Sequence, residues 1–127
     1  MVAIYEYQNK YYGRIIGTYN EEGVMIDTIY HPIDRASGIS GSPFYSGLDI
    51  IWNLQMKGSK YKGKIVDPRN GNVYKAEAWI EKGNLVIRGK FLFIGKSTIW
   101  YPVKEGDFPS DFKKPDTSQF VPLIPVK

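Results

Sequence analysis

Residues 61–100 constrain the fold more than any other part of the chain. Lys60–Val66, Asn72–Ile80 and Leu85–Phe93 are runs in which apolar and polar residues alternate. Two turn segments join them, Asp67-Pro68-Arg69-Asn70-Gly71 and Glu81-Lys82-Gly83-Asn84. A period of two sends successive side chains to opposite faces of a strand. Pro68 presets its own φ, and Asn70-Gly71 takes positive φ at little cost, so the first segment is a strong turn signal. Strands linked in this way form an antiparallel meander, and such chains close into barrels or pack as sandwiches. At 127 residues the chain has room for one domain around one core.

The remaining segments extend this pattern. Val2–Tyr7 reads as a strand, Gln8-Asn9-Lys10 as a turn and Tyr11–Thr18 as the hairpin partner. Residues 20–47 are punctuated by glycine, proline and serine and read as a long loop, with a short strand in Val24–Tyr30. A connection of that length often serves as a lid or a binding loop. In Leu48–Lys57 the alternation is cleanest and predicts Leu48, Ile50, Trp52, Leu54 and Met56 on one core-facing side. Ser97–Tyr101 is the last strand. The expected fold is all-β, an antiparallel up-and-down barrel of about seven or eight strands over residues 1–103. Five of the eight prolines fall in residues 102–127. Proline lacks the amide donor that a central strand needs, yet Phe108, Phe112, Phe120 and Leu123 are too apolar for a plain tail. Residues 104–127 are therefore expected to form an extended arm lying on the barrel or on a neighbouring molecule.

Charge and composition exclude several functions. The chain has no cysteine, which removes disulfides, thiolate metal sites and a cysteine nucleophile. Its single histidine, His31, stands beside Pro32 with Asp27 and Asp34 nearby. It would need one of those carboxylates to orient it as a general base, and a loop histidine in water is the default. Ser40, Ser42 and Ser46 do not sit in a Gly-x-Ser-x-Gly turn. Asp67–Gly71 offers too few oxygen ligands for calcium. No catalytic residue, metal or cofactor is expected, and the chain is not read as an enzyme.

The net charge of +4 is concentrated around Lys57, Lys60, Lys62, Lys64, Arg69 and Lys75. Single-strand binders combine cations and aromatics on one surface. Here Lys60, Lys62 and Lys64 alternate with Tyr61, Gly63 and Ile65, so the tyrosine points away from the lysines. A solvated lysine face is expected, and no nucleic acid. No apolar run approaches the roughly 20 residues of a membrane span, and within this sequence no basic stretch followed by an apolar one reads as a signal peptide.

The motifs together resemble a bacterial family of small exported domains of unknown function (number two-one-four-seven). The resemblance rests on Ile4-Tyr5-Glu6, Lys10-Tyr11-Tyr12-Gly13-Arg14-Ile15, Pro43 with Ser46-Gly47-Leu48, Tyr61-Lys62-Gly63-Lys64-Ile65, Asp67-Pro68 with Gly71 and Tyr74, and Leu85-Val86-Ile87-Arg88-Gly89 followed by Gly95-Lys96 and Trp100. It covers roughly residues 2–103. It implies a lipocalin-like barrel, export to the periplasm or outside the cell, and no established activity. The Gly-x-Trp segment that commonly opens family members is missing. A shortened first strand and an open sheet edge are expected on that ground, and an open edge invites pairing with another chain.

A barrel of this class either fills with side chains or holds one small ligand. Ala76, Ala78, Gly63 and Gly89 are small enough to leave space. Trp52, Tyr61, Tyr74, Ile87 and Phe91 are the candidate ligand-binding residues, and the candidate ligand is a small apolar or amphipathic molecule. Arg88 is expected to point outward and to pair with Glu77 across the hairpin, at under about 1 kcal/mol if exposed. The alternative is a structural or interaction protein with a filled barrel, forming a homodimer through the open edge and the arm.

Overall fold

In the computed structural model residues 1–91 and 94–126 are described. The chain is all-β. Seven strands form one antiparallel sheet in the order β1 (Val2–Tyr7), β2 (Lys10–Ile15), β5 (Asp49–Lys57), β6 (Lys60–Val66), β7 (Val73–Glu81), β8 (Asn84–Phe91) and β9 (Ile94–Trp100). Between β2 and β5 the chain makes a separate hairpin, β3 (Gly17–Tyr19) with β4 (Met25–Thr28). The tight turns are set by local chemistry. Gln8 and Asn9 both take positive φ (49° and 65°), as do Lys82 and Gly83 (52° and 79°). Two central residues with positive φ match the right-handed twist of the strands they join.

Of the expected barrel, the described residues form a half-barrel with an open edge. The sheet curls, but β1 and β9 stand at opposite ends of its order. The short strand expected in Val24–Tyr30 exists as β4, yet it pairs with β3 instead of entering the main sheet. Phe93, expected at the end of a longer eighth strand, lies outside the described residues.

Both faces of the curled sheet are apolar, and they carry different clusters. The inner face holds Ile51, Leu54, Ala78 and Ile87, with Tyr11, Tyr61, Ile65, Leu85 and Trp100 packed around them. The outer face holds Tyr5, Tyr12, Leu48, Trp52 and Val66 beneath Ala36 and Ile39 of the long loop and Phe120 of the arm. The single core-facing side predicted for Leu48–Lys57 is therefore corrected. Leu48 and Trp52 belong to the outer cluster, Leu54 to the inner one, and Ile50 touches both. Two bulges cause the switch. β5 shifts register against β2 on both sides of Gly13, and against β6 between Trp52 and Gln55. Asn53 sits at the second shift with φ 58°. Each extra residue reverses the in-out parity of everything after it.

The register leaves room for that bulge at Gly63. A Cβ there would lie 2.6 Å from the Trp52 carbonyl oxygen and 2.9 Å from the Asn53 carbonyl. Any larger residue would meet backbone, which cannot move as a side chain can.

The arm lies on its own sheet. Phe120 meets the Tyr5 ring edge-on, with centroids 5.2 Å apart. Val121 accepts a hydrogen bond from Arg14 Nη2 (2.7 Å), the Leu123 amide donates to Asp49 Oδ2 (2.8 Å), and the Ser40 amide donates to the Val126 carbonyl (2.6 Å).

Candidate functional site

The inner face of the half-barrel is a trough built by register. Gly63, Ala76 and Gly89 lie side by side across β6, β7 and β8. In the next rows Tyr61, Ala78 and Ile87 stand together, as do Ile65 and Tyr74. At the β8 end of this row of small residues a hollow opens over Gly89, while Gly63 lies against the bulged backbone of β5. Ile51, Ala78 and Ile87 are almost fully buried and pack into a waist that separates two hollows.

One hollow has a volume of about 590 Å³ and is lined by Ile65, Tyr74, Ile87, Gly89, Thr98 and Trp100, with the Asp67–Arg69 turn at its rim. The second, of about 360 Å³, is bounded by Ile4, Tyr11, Leu54, Tyr61, Ile80 and Leu85 and is almost wholly apolar. Ile80 and Ile4 are exposed at its mouth. At the rim of the first, Arg69 grips Asp67 with two bonds, Nε to Oδ1 at 3.0 Å and Nη2 to Oδ2 at 2.8 Å. Those bonds hold the Asp67 carboxyl below the usual carboxylate range. The rim is thus a neutral ion pair, polar without net charge.

The predicted ligand residues divide. Tyr74 and Ile87 line the larger hollow, and Tyr61 lines the smaller. Trp52 does not join them. It is buried in the outer cluster with Tyr5, Tyr12 and Leu48. Thus Trp52 and Tyr74 lie on opposite sides of the sheet, and the single lumen that would have united them is not formed. Phe91 ends β8 opposite Ile94, and its side chain lies outside what is described. Trp100, Thr98 and the Asp67–Arg69 pair belong to the hollow and were missed. The turn at Glu81–Asn84 fixes the β7–β8 register, but the segment between β8 and β9 gave no equivalent signal for Trp100.

The outer face carries a second polar assembly that sequence reading missed. Asp49 is fully buried. It accepts hydrogen bonds from Tyr5 OH (2.9 Å), from Arg14 Nε (3.3 Å) and Nη2 (3.0 Å), and from the Leu123 amide (2.8 Å). The Arg14 guanidinium also lies 4.4 Å from the Phe120 ring centroid. Burial raises the Tyr5 hydroxyl above its ordinary value, reinforced by its bond to Asp49 and opposed by Arg14. Every partner in this assembly is a strand or arm residue of the same chain, so its chemistry is structural.

The long loop has its own anchor. Buried Asp27 accepts from Ser46 Oγ (2.7 Å) and from the amides of Ile33 (3.2 Å) and Asp34 (2.9 Å). Its carboxylate is thereby committed to the loop. His31 is exposed, and its amide donates to Thr28. Among the described residues no group of three His, Cys, Asp or Glu side chains converges as a metal ligand set would. No helix among them is long and apolar enough to cross a membrane.

The family model described as "Uncharacterized protein conserved in bacteria (DUF2147)" matches residues 1–101 of this chain. That span takes in every strand of the sheet and ends where the arm begins. Neither a curated protein nor a solved structure matches the sequence.

Proposed function

We propose that this chain, which belongs to the bacterial family DUF2147, is a non-enzymatic binding module for a small apolar or amphipathic molecule held in the inner trough. The observation that carries this reading is the hollow of about 590 Å³ over Gly89. It has the size of small-molecule pockets, and its lining is mostly apolar with a few polar groups at one end, as such pockets usually are. Binding is driven by desolvating the ligand against Ile65, Ile87 and Trp100. Tyr74, Thr98 and the Asp67–Arg69 pair orient its polar end. A rim without net charge suits a neutral polar group better than a free carboxylate, which Arg69 would have to leave Asp67 to meet. A lipocalin-like closure of the trough and a periplasmic or secreted setting belong to this proposal.

The test is titration with the fluorescent apolar probe N-phenyl-1-naphthylamine, alongside native mass spectrometry of protein purified from its source. Gly89→Leu fills the hollow from its floor, where the nearest described atom to an added Cβ is Ile65 Cγ2 at 3.5 Å. Saturable probe binding that Gly89→Leu weakens about tenfold or more, roughly 1.4 kcal/mol, is the expected result. Equal binding by both proteins would remove the trough from consideration.

The alternative is an interaction protein with a filled barrel that uses its open sheet edge and its arm. Arg14, Asp49 and Ser40 of the same chain hold the arm.

A further inference from the structure

The face of β6–β8 opposite the trough carries a registered array of cations. Lys64 of β6 stands directly across from Lys75 of β7. The neighbouring row runs Lys62, Glu77, Arg88. Lys57 is paired with Lys60 at the end of the β5–β6 hairpin. Lys57, Lys62, Lys64 and Lys75 are exposed. Among the described residues, none of these four makes an ion pair. Like charges directly opposite each other across strands cost stability, so a sheet that repeats them gains nothing from them in isolation.

Apolar groups complete this surface. The next row along the same face is Trp79, Val86 and Ile99. Lys60 Nζ lies 4.6 Å from the Trp79 ring centroid, and Ile99 is half exposed. Tyr61 and Tyr74 face the trough, as their parity predicts, but Trp79 lies with the lysines. A cationic field bordered by a tryptophan and an exposed aliphatic residue is the composition of a surface that meets a bilayer. The lysines neutralise anionic headgroups, while Trp and Ile settle at the level of the headgroup boundary.

We propose that this face docks on an anionic lipid bilayer. Charge complementarity selects the partner, and the row of Trp79 and Ile99 favours lipid over a purely polyanionic polymer. A single-stranded nucleic acid would call for several aromatics set among the cations, and this face offers one tryptophan at its border. The proposal stands independently of what the trough holds.

The test is co-sedimentation of the full chain with vesicles of phosphatidylcholine alone and of phosphatidylcholine with phosphatidylglycerol, at low and at 0.5 M salt, beside a single-stranded oligonucleotide. The expected result is binding to the phosphatidylglycerol vesicles only, lost at high salt and tighter than to the oligonucleotide. The double variant Lys64→Glu/Lys75→Glu should weaken it about tenfold or more, and Lys64→Arg/Lys75→Arg should keep it. Both variants change exposed residues, and circular dichroism checks that they fold. Failure to bind phosphatidylglycerol vesicles at low salt, binding that the charge reversals leave unchanged, or tighter binding to the oligonucleotide would each overturn the proposal.

Discussion

Asp49 and Arg14 meet at 3.0 Å beneath the C-terminal arm, and Asp49 has no exposed surface. The pair closes a chain of contacts from the first strand to the arm. Tyr5 and Arg14 approach the carboxylate from β1 and β2, and Leu123 approaches it from a segment 74 residues further along. A buried ion pair adds little net stability when intact, because desolvating both charges offsets their attraction. Removing one partner leaves the other charge without compensation.

Asp49→Ala should therefore cost about 3–5 kcal/mol of stability and release the arm. Urea unfolding measures the first effect. Limited trypsin digestion measures the second, with cleavage after Lys113 expected to accelerate in the variant. Unchanged proteolysis together with lost stability would place the arm's anchorage in Phe120 instead.

Gly63 and Gly89 occupy the same row of the trough but should respond differently to alanine. At Gly63 the new Cβ would meet the Trp52 carbonyl oxygen at 2.6 Å, and the bulged strand would have to shift. A loss of about 1–3 kcal/mol is expected. At Gly89 the contact is 3.5 Å, an ordinary packing distance, and Gly89→Ala should lie within about 0.5 kcal/mol of the parent. Chemical denaturation of the two variants side by side is the check.

Stability should fall in alkaline solution. Burial raises the hydroxyls of Tyr5 and Tyr12 above their ordinary value near 10. The folded protein thus keeps these protons where the unfolded chain has begun to lose them. Their contribution is intact below about pH 10 and is lost as pH rises towards the folded values. Thermal melts between pH 8 and pH 11.5 should show a falling Tm above pH 10, with a shallower fall in Tyr5→Phe.

Asp27 and His31, four residues apart at the start of the long loop, should respond in opposite ways. Asp27→Ala leaves the amides of Ile33 and Asp34 and the Ser46 hydroxyl without their acceptor, at about 1–3 kcal/mol per buried group left unsatisfied. Hydrogen exchange across residues 29–47 should accelerate. His31→Ala changes an exposed side chain and should alter stability by no more than about 0.5 kcal/mol.

The turns and strands were legible because they are local. Positive φ at Lys82-Gly83 and the proline and glycine of residues 67–71 can be read from a few consecutive residues. The lysine face of β6 follows from parity alone. Asn53 shows where that reasoning stops. By type it is an ordinary polar residue in an alternating stretch, yet it takes φ 58° and reverses the parity. Trp52 consequently left the predicted site for the opposite face, while Tyr61, Tyr74 and Ile87 share the inner face, divided between its two hollows.

The sequence by itself determined that the chain is an antiparallel meander with the lysines of β6 on one side, since alternation and turn chemistry act over neighbouring residues. Tertiary structure alone decided that the sheet stops at a half-barrel, that its outer face is a second core, and that the arm folds back onto Asp49. Those outcomes depend on bulges and on partners 35 to 107 residues apart, and no local pattern specifies which distant amide or guanidinium will satisfy a buried carboxylate.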